Sequence, residues 1–242
     1  AAAEVGKHVF CEKPLACTNS ETSEILDAVR KHNVKLQVGH NQRFWAQHEI
    51  VKELLDAGTI GRVLSCRSGL RESYKLYPEQ VAVTKYRYSA KQAGAGVLLD
   101  ICTHRIDLLR WFVGEIVKVF GSALRQAEYS QFSMLEDNVM ILCQFENGEL
   151  GVIDGDRYTP VGSDITELYG TEGTIFTTSE SFNPFHPAPM ALYTGKAVEH
   201  IPEVLNRYFY PPNWWDKSPS GRWITVSPPR ENPYVKQLSL FC

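Results

Sequence analysis

The tetrapeptide Cys11-Glu12-Lys13-Pro14 places a lysine directly after residues 8–11, a run that favours a β-strand. In open α/β sheets, ligands bind at the carboxyl ends of the strands. A lysine at such a position can donate a hydrogen bond or a proton to a substrate oxygen. A solvated lysine in a proline turn would give the same four residues, so the tetrapeptide alone does not decide between a structural and a chemical role.

The pair Asp100 and His104 is a second candidate, inside an apolar stretch that predicts a helix from Val97 to Val113. Residues four apart share one face of a helix, and Asp107 extends that face. A carboxylate can orient an imidazole and raise its basicity, which would leave the ring near neutrality as a proton shuttle. A half-exposed salt bridge would give the same pattern. The pair could also be half of a metal site, but no motif such as H-E-x-x-H supplies the other half.

Polar residues also follow the predicted strand 34–38, in the segment 39–44. His40 and Asn41 could meet a ligand at the end of that strand, whereas Arg43 could equally pair with a structural carboxylate. The nucleotide-binding patterns G-x-G-x-x-G and G-x-x-x-x-G-K-[ST] do not occur in the chain, and neither does the G-x-S-x-G pattern of hydrolases.

The elements that must position these residues alternate between strands and helices over the first 65 residues. Thr18 and Glu21 form a capping box at the start of a helix that is predicted to end near Asn33. Gly58 fits the end of a second helix, and residues 63–67 favour a strand. This β-α-β-α-β order predicts a parallel sheet with crossover helices.

After about residue 115 the pattern changes to strands without intervening helices. Asn147-Gly148 predicts one hairpin, and the segment 170–173 predicts another. Consecutive strands joined in this way form an antiparallel sheet. We place the change of domain near residue 44.

Composition excludes several classes of protein. The 242 residues are 43% hydrophobic and 22% charged, which is ordinary for a globular chain. The 25 basic and 28 acidic residues give a net charge of −3, so charge supplies no case for nucleic acid or an anionic membrane as a partner. No apolar run reaches the roughly 18 residues of a transmembrane helix. The six scattered cysteines fit a reducing compartment, and we expect a cytoplasmic location.

Taken together, the motifs resemble the Gfo/Idh/MocA family of NAD(P)-dependent oxidoreductases. The resemblance lies in the order and spacing of short motifs over nearly the whole chain. These motifs are Gly6-Lys7-His8-Val9, Glu12-Lys13-Pro14, Val38-Gly39-His40-Asn41-x-Arg43-Phe44, Tyr86-Arg87, Gly94-x-Gly96, Asp100-x-x-x-His104-x-x-Asp107, Glu136-Asp137-Asn138, Gly170-Thr171-Glu172-Gly173 and Glu231-Asn232-Pro233-Tyr234.

The resemblance implies an α/β fold in two parts. Residues 1–44 would be the C-terminal remnant of a dinucleotide-binding Rossmann domain, with a partial parallel sheet. Residues 45–242 would be an α/β substrate and oligomerisation domain, whose large and mainly antiparallel sheet serves as the interface of a homo-oligomer. Cys102 stands where the family usually has a small residue, and we expect a buried thiol there.

The resemblance also implies hydride transfer between a nicotinamide cofactor, NAD or NADP, and a secondary alcohol or ketone of a sugar, polyol or sugar derivative. The implied catalytic residues are Lys13, Asp100 and His104, with no metal. In such enzymes the peptide bond that corresponds to Lys13–Pro14 is often cis. The residues implied near the cofactor are Glu12, Lys13, Asn41, Arg87 and Tyr234.

Family members carry G-x-G-x-x-G and the residue that selects NAD or NADP in a segment that we expect upstream of Ala1, about 75–80 residues long. The family's last helix would continue beyond Cys242. We therefore expect the 242-residue piece alone to bind dinucleotide poorly and to be inactive. Two other hypotheses are a non-catalytic binding or assembly module that has kept the fold, and a metal-dependent lyase or isomerase.

Overall fold

Two short parallel strands joined by a helix form the N-terminal part of the molecule. The computed structural model describes residues 1–73, 89–126, 135–178, 189–197, 204–209, 221–229 and 231–242, with 204–209 described as backbone. Strand β1 (Val9–Glu12) pairs in parallel with β2 (Leu36–Gly39), and helix α1 (Asn19–Lys31) connects them. The predicted capping box is confirmed, because Thr18 Oγ1 accepts the backbone N–H of Glu21 while the Glu21 carboxylate accepts that of Thr18.

The chain then enters a second, much larger sheet through a 3₁₀ turn (Asn41–Phe44) and helix α2 (Ala46–Asp56). Gly58 adopts the left-handed conformation expected after a helix, with a φ of +66°. The next strand, β3 (Val63–Ser73), does not join β1 and β2, so the prediction of one parallel sheet is wrong for this strand. It has eleven residues, and the buried side chains of its central part alternate with less buried ones, as in a sheet with one covered face.

The large sheet has nine strands in the order β10-β11-β9-β8-β7-β3-β6-β5-β4. The further strands are β4 (Ile116–Leu124), β5 (Asn138–Phe145), β6 (Leu150–Asp156), β7 (Tyr158–Gly170), β8 (Gly173–Thr177), β9 (Met190–Thr194), β10 (Val204–Phe209) and β11 (Arg222–Val226). Within the described ranges every neighbouring pair in this sheet is antiparallel except β3 with β6. Both predicted hairpins are confirmed, at Asn147-Gly148 between β5 and β6 and at 170–173 between β7 and β8. The predicted α/β class, with a small parallel sheet and a large, mainly antiparallel one, is confirmed.

Helices cover one face of the large sheet. They are α2, a π-helical turn (Leu98–Cys102) and α4 (Thr103–Phe112) that continues from it, and a short helix, α3 (Ala90–Ala93), precedes the turn in the chain. Cys102 is fully buried, as predicted, and burial raises the pKa of its thiol to about 12. It packs on β6 at Gly155, where an added Cβ would lie 2.8 Å from the sulfur. A small residue on the strand therefore makes room for a larger one on the helix.

The opposite face of the sheet carries large apolar side chains that are exposed. Phe120 on β4 stands opposite Leu142 on β5, and both are more than half exposed. Met140 and Leu150 continue this apolar face. Across the described residues, no helix is long and apolar enough to span a membrane.

Candidate active site

The predicted functional residues meet in one cavity of about 970 Å³. It lies where β1 and β2 end and the π-helical turn begins. Six predicted residues line it: Glu12, Lys13, Asn41, Asp100, His104 and Tyr234. The seventh, Arg87, falls with Tyr86 outside the described residues.

Lys13 and Asp100 are joined across 87 positions of sequence. The Lys13 ammonium donates to the Asp100 backbone carbonyl at 2.5 Å and to its carboxylate Oδ1 at 3.1 Å. Both side chains are largely buried, at 12% and 18% exposure. The peptide bond between Lys13 and Pro14 is cis, the isomer that the resemblance favoured. The turn lysine of the structural alternative would be solvated, whereas this one is fixed inside the cavity.

The sequence predicted a regular helix from Val97, but the helix that carries Asp100 begins as a π-helical turn. Glu136, which comes just before β5, holds its start. The Glu136 carboxylate Oε1 accepts the backbone N–H groups of Gly96 at 2.8 Å and Leu98 at 2.9 Å, and its carbonyl accepts that of Val97 at 3.1 Å. A carboxylate thereby satisfies N–H groups that the first turn leaves without helical partners. Such π-turns often occur at functional sites.

His104 is a neutral imidazole in this setting. Burial, together with the nearby charges of Lys13, Arg105 and His40, lowers its pKa to about 3, while the charge of Asp100 opposes them. The expected rise towards neutrality is therefore wrong, because desolvation outweighs the one favourable charge. Within the described part of the chain, His104 Nδ1 is buried without a hydrogen-bond partner.

Asp107, the third member of the predicted helix face, is not among the residues that line this cavity. Its carboxylate accepts two hydrogen bonds from the Arg43 guanidinium, at 2.8 and 2.7 Å. The guanidinium also lies over the ring of Trp111, 5.5 Å from its centroid. His40 Nδ1 is 3.6 Å from the same carboxylate. Of the two possibilities for Arg43, pairing with a structural carboxylate is therefore confirmed.

The end of β2 supplies three polar side chains to the cavity wall, Asn41, Gln42 and Trp45. Among the described residues, Asn41 Oδ1, Gln42 Oε1 and Trp45 Nε1 are buried without a hydrogen-bond partner. Buried polar atoms are costly when they lack partners, so a polar ligand that entered the cavity would relieve this cost. Of these three residues, the sequence analysis singled out Asn41 only, although Gln42 belongs to the same polar segment.

Two buried arginines near the site were not found from the sequence. Arg157 pairs with Asp100 Oδ2, and its side chain is 4% exposed. Arg105, which follows His104 directly, is fully buried and lies 2.7 Å from Asp164, another residue of the cavity wall. Neither arginine stands in a motif that reveals its partner, because both partners are distant in sequence.

Metal-binding side chains are not grouped in the described residues. There, no three His, Cys, Asp or Glu side chains lie together in a way that could hold an ion. The groups that the cavity offers for chemistry are a lysine, a neutral histidine and a shared carboxylate.

Two family models match the chain. The model described as the GFO/IDH/MocA C-terminal domain matches residues 48–176, more than half of the chain. The model described as the oxidoreductase family with an NAD-binding Rossmann fold matches residues 1–40.

Curated relatives and solved structures agree with these matches. Levoglucosan dehydrogenase of Pseudarthrobacter phenanthrenivorans is 34% identical over 197 residues, covering 72% of this chain and 50% of the relative. Myo-inositol 2-dehydrogenase of Thermotoga maritima is 34% identical over 180 residues, covering 73% and 51%. A structure of levoglucosan dehydrogenase in complex with NADH superposes with a TM-score of 0.69 at 30% identity, covering 80% of this chain and 52% of that one. The chain thus spans about half the length of the curated relatives it matches.

Proposed function

Because the chain belongs to the GFO/IDH/MocA family of oxidoreductases, we propose that it transfers a hydride between a nicotinamide cofactor, NAD or NADP, and a secondary alcohol or ketone of a sugar, polyol or sugar derivative. One observation carries the proposal: Lys13, Asp100 and His104 meet in a single cavity at the ends of two parallel strands. The substrate class rests on relatives named for levoglucosan and myo-inositol.

The residues around the ends of β1 and β2 fit the nicotinamide half of such a cofactor. Glu12 offers a carboxylate that can accept hydrogen bonds from ribose hydroxyls. Asn41 offers an unpartnered amide oxygen, and Tyr234 adds an aromatic face to the cavity wall. Gly39 leaves space that Glu12 uses, since a Cβ there would lie 2.8 Å from the Glu12 carboxyl group. We propose that Glu12, Lys13, Asn41 and Tyr234 hold the cofactor when it binds.

The bound nicotinamide would supply the hydride acceptor for alcohol oxidation, or the donor for ketone reduction. Lys13 would donate to the reacting oxygen of the substrate and stabilise the negative charge that develops there. Asp100 fixes the lysine in place by accepting two hydrogen bonds from its ammonium, one at the Asp100 backbone carbonyl and one at the Asp100 carboxylate. The ammonium is thus oriented before substrate arrives, and little reorganisation is needed during reaction.

His104 would take the hydroxyl proton in the oxidation. Its lowered pKa of about 3 keeps the ring unprotonated at physiological pH. A ring with so low a pKa is a weak base, so it would take the proton as the hydride leaves, when the hydroxyl group becomes much more acidic. The same environment makes the protonated ring a strong proton donor. Protonation beside Lys13 is unfavourable, and the ring would therefore release the proton readily to a ketone oxygen in the reverse direction.

We further propose that two copies of the chain associate through the exposed apolar face of the large sheet. Large apolar side chains in a continuous patch are unusual on the surface of a monomer. Phe120, Met140, Leu142 and Leu150 would be removed from water in such a pair.

We also propose a cytoplasmic location. The six cysteines are all free thiols, which supports this proposal.

An assay of the full-length gene product tests the proposed function. Reduction of NAD and NADP is followed by absorbance with a panel of cyclic polyols, anhydrosugars and aldoses. The proposal expects turnover with at least one polyol or sugar. Specific cofactor and sugar binding without turnover in any combination would favour the non-catalytic binding module instead.

A further inference from the structure

One carboxylate, that of Asp100, is divided between two cations. Its Oδ1 accepts a hydrogen bond from Lys13 at 3.1 Å, and its Oδ2 pairs with Nη2 of Arg157. Arg157 lies at the junction of β6 and β7, and its side chain is more deeply buried than that of either other member, at 4% exposure. The pair is therefore part of the wall of the site and not a surface contact.

The charges of this cluster do not cancel. Asp100 contributes one negative charge, and Lys13 and Arg157 contribute one positive charge each. A Lys13–Asp100 pair without Arg157 would be neutral and would offer little net attraction to a negatively charged oxygen. Arg157 adds a second positive charge to that pair, in a cavity that the carboxylates of Glu12, Glu72 and Asp164 also line. In a partly buried site that charge acts through a lower effective dielectric than water.

We propose that Arg157 is a positioning residue for the oxidoreductase reaction: it holds the Asp100 carboxylate turned between the two cations and leaves the Lys13 ammonium free to act on the substrate oxygen. The inference rests on the proposed function and deepens it. Arg157 acts through Asp100 and does not line the described wall of the cavity.

The backbone supports this assignment. The backbone N–H of Arg157 donates to the carbonyl of Asp137 at 3.1 Å. Glu136, the residue before Asp137, accepts the N–H groups at the start of the helix that carries Asp100. One dipeptide thus fixes both the carboxylate and its counterion relative to each other. This gives the motif Glu136-Asp137-Asn138 a role that its residue types alone did not suggest.

A purely structural role is the competing explanation, because the chain has another buried ion pair of this kind. Arg105 and Asp164 also connect the helix to the sheet, with exposures of 0% and 8%. The difference is that Asp100 holds a second cation, Lys13, whereas the Arg105–Asp164 contact involves no lysine in the described structure. A structural pair affects folding, while a positioning pair also affects turnover through its partner.

A double-mutant cycle separates the two roles. The variants Arg157→Gln, Asp100→Asn and the double variant are made in the full-length gene product, and kcat, KM and cofactor Kd are measured at one pH. We expect Arg157→Gln to lower kcat by about 10–100-fold, as the loss of one charge-assisted hydrogen bond would, with the cofactor Kd changed less than kcat. In the Asp100→Asn background, the same change should have almost no further effect on kcat. Arg157→Lys should restore part of the loss, because it returns the charge without the planar fork.

Independent effects would overturn the inference. If Arg157→Gln lowers kcat by the same factor whether or not Asp100 is present, Arg157 does not act through that carboxylate. Arg110→Gln is the matched control, since it removes an arginine–carboxylate pair with Glu115 on the surface and should leave kcat unchanged.

The same cycle on the free energy of unfolding gives a readout that does not need activity. Each single variant removes one half of the Arg157–Asp100 pair, so the double variant should be less destabilised than the sum of the two. Additive unfolding energies would overturn the pair itself. A wild-type protein without turnover on any polyol would instead overturn the proposed function, and with it the catalytic role of Arg157.

Discussion

The ammonium of Lys13 donates two hydrogen bonds to one residue, Asp100: to its backbone carbonyl at 2.5 Å and to its carboxylate at 3.1 Å. This contact ties the end of β1 to the π-helical turn on the large sheet. A lysine from one part of the fold therefore reaches a helix of the other part, at the wall of the cavity. Two residues 87 positions apart in sequence thereby meet at one wall of the cavity.

The hydrogen bonds that Glu136 accepts from Gly96 and Leu98 predict that stability depends on which residue replaces Glu136. Glu136→Ala would leave the N–H groups of Gly96 and Leu98 without their acceptor, which should reduce the free energy of unfolding by about 1–3 kcal/mol. Glu136→Gln keeps an acceptor oxygen and should cost less. Urea unfolding measures both, and kcat should fall more in the alanine variant because the start of the Asp100 helix loosens. Equal losses in the two variants would show that Glu136 does not act through these hydrogen bonds.

Stability should fall in acid partly because of His48. Its pKa is lowered from 6.5 to about 4, chiefly by complete burial, so the unfolded chain takes up a proton in this range that the native chain does not. Stability is therefore lost as the pH falls from about 6.5 to about 4, by roughly 3 kcal/mol from this group. His104 acts in the same direction, with a pKa of about 3.

Replacing His48 tests this pH dependence. Urea unfolding of His48→Gln between pH 7 and pH 4 (about the range of the titration) should show a shallower decline than the wild type. His32→Gln removes a histidine that is not fully buried and should leave the slope unchanged. A His48→Gln slope equal to that of the wild type would contradict the assignment.

The exposed apolar face predicts self-association. Leu142→Asp would put a charge in the middle of that face, opposite Phe120, and should shift the protein to smaller species in sedimentation velocity. Leu240→Asp places the same charge on the exposed side of α5 (Pro233–Phe241) and is the control. If wild type and Leu142→Asp sediment alike as monomers, the sheet is not the interface.

Cofactor binding by this chain alone should be weak. The described parallel sheet has two strands, and the sequence holds no G-x-G-x-x-G to receive a pyrophosphate. Isothermal titration of the 242-residue chain with NAD and NADP should give no tight binding, whereas the full-length gene product should bind one of them. Tight binding by the 242-residue chain would mean that residues other than a glycine-rich loop hold the phosphates.

Local signals in the sequence predicted much of the fold. The capping box at Thr18, the hairpin at Asn147-Gly148 and the buried thiol at Cys102 are each set by neighbours in sequence or by residue type, and all three are confirmed. The resemblance to the Gfo/Idh/MocA family is confirmed as well. The partner of β3 was not predictable, because a strand pattern does not state which sheet the strand joins.

In the candidate active site, too, some features could be predicted from the sequence and others could not. Motif spacing brought Lys13, Asp100 and His104 to attention, and they do line one cavity. The partnership of Asp100 with Arg157 depends on a helical turn and a strand junction that meet only after folding. The low pKa of His104 likewise depends on burial and on Lys13, which is 91 positions away in sequence. Spacing can therefore predict which residues gather, but charge state follows from their three-dimensional surroundings.

The most direct test of the proposed oxidoreductase is the rate of nicotinamide reduction in a single turnover, measured in the full-length gene product with Lys13→Ala and His104→Ala. If these residues perform the proton and charge chemistry, each variant should lower that rate by about 100–10,000-fold while the cofactor Kd changes little. A wild-type rate in both variants would contradict the account.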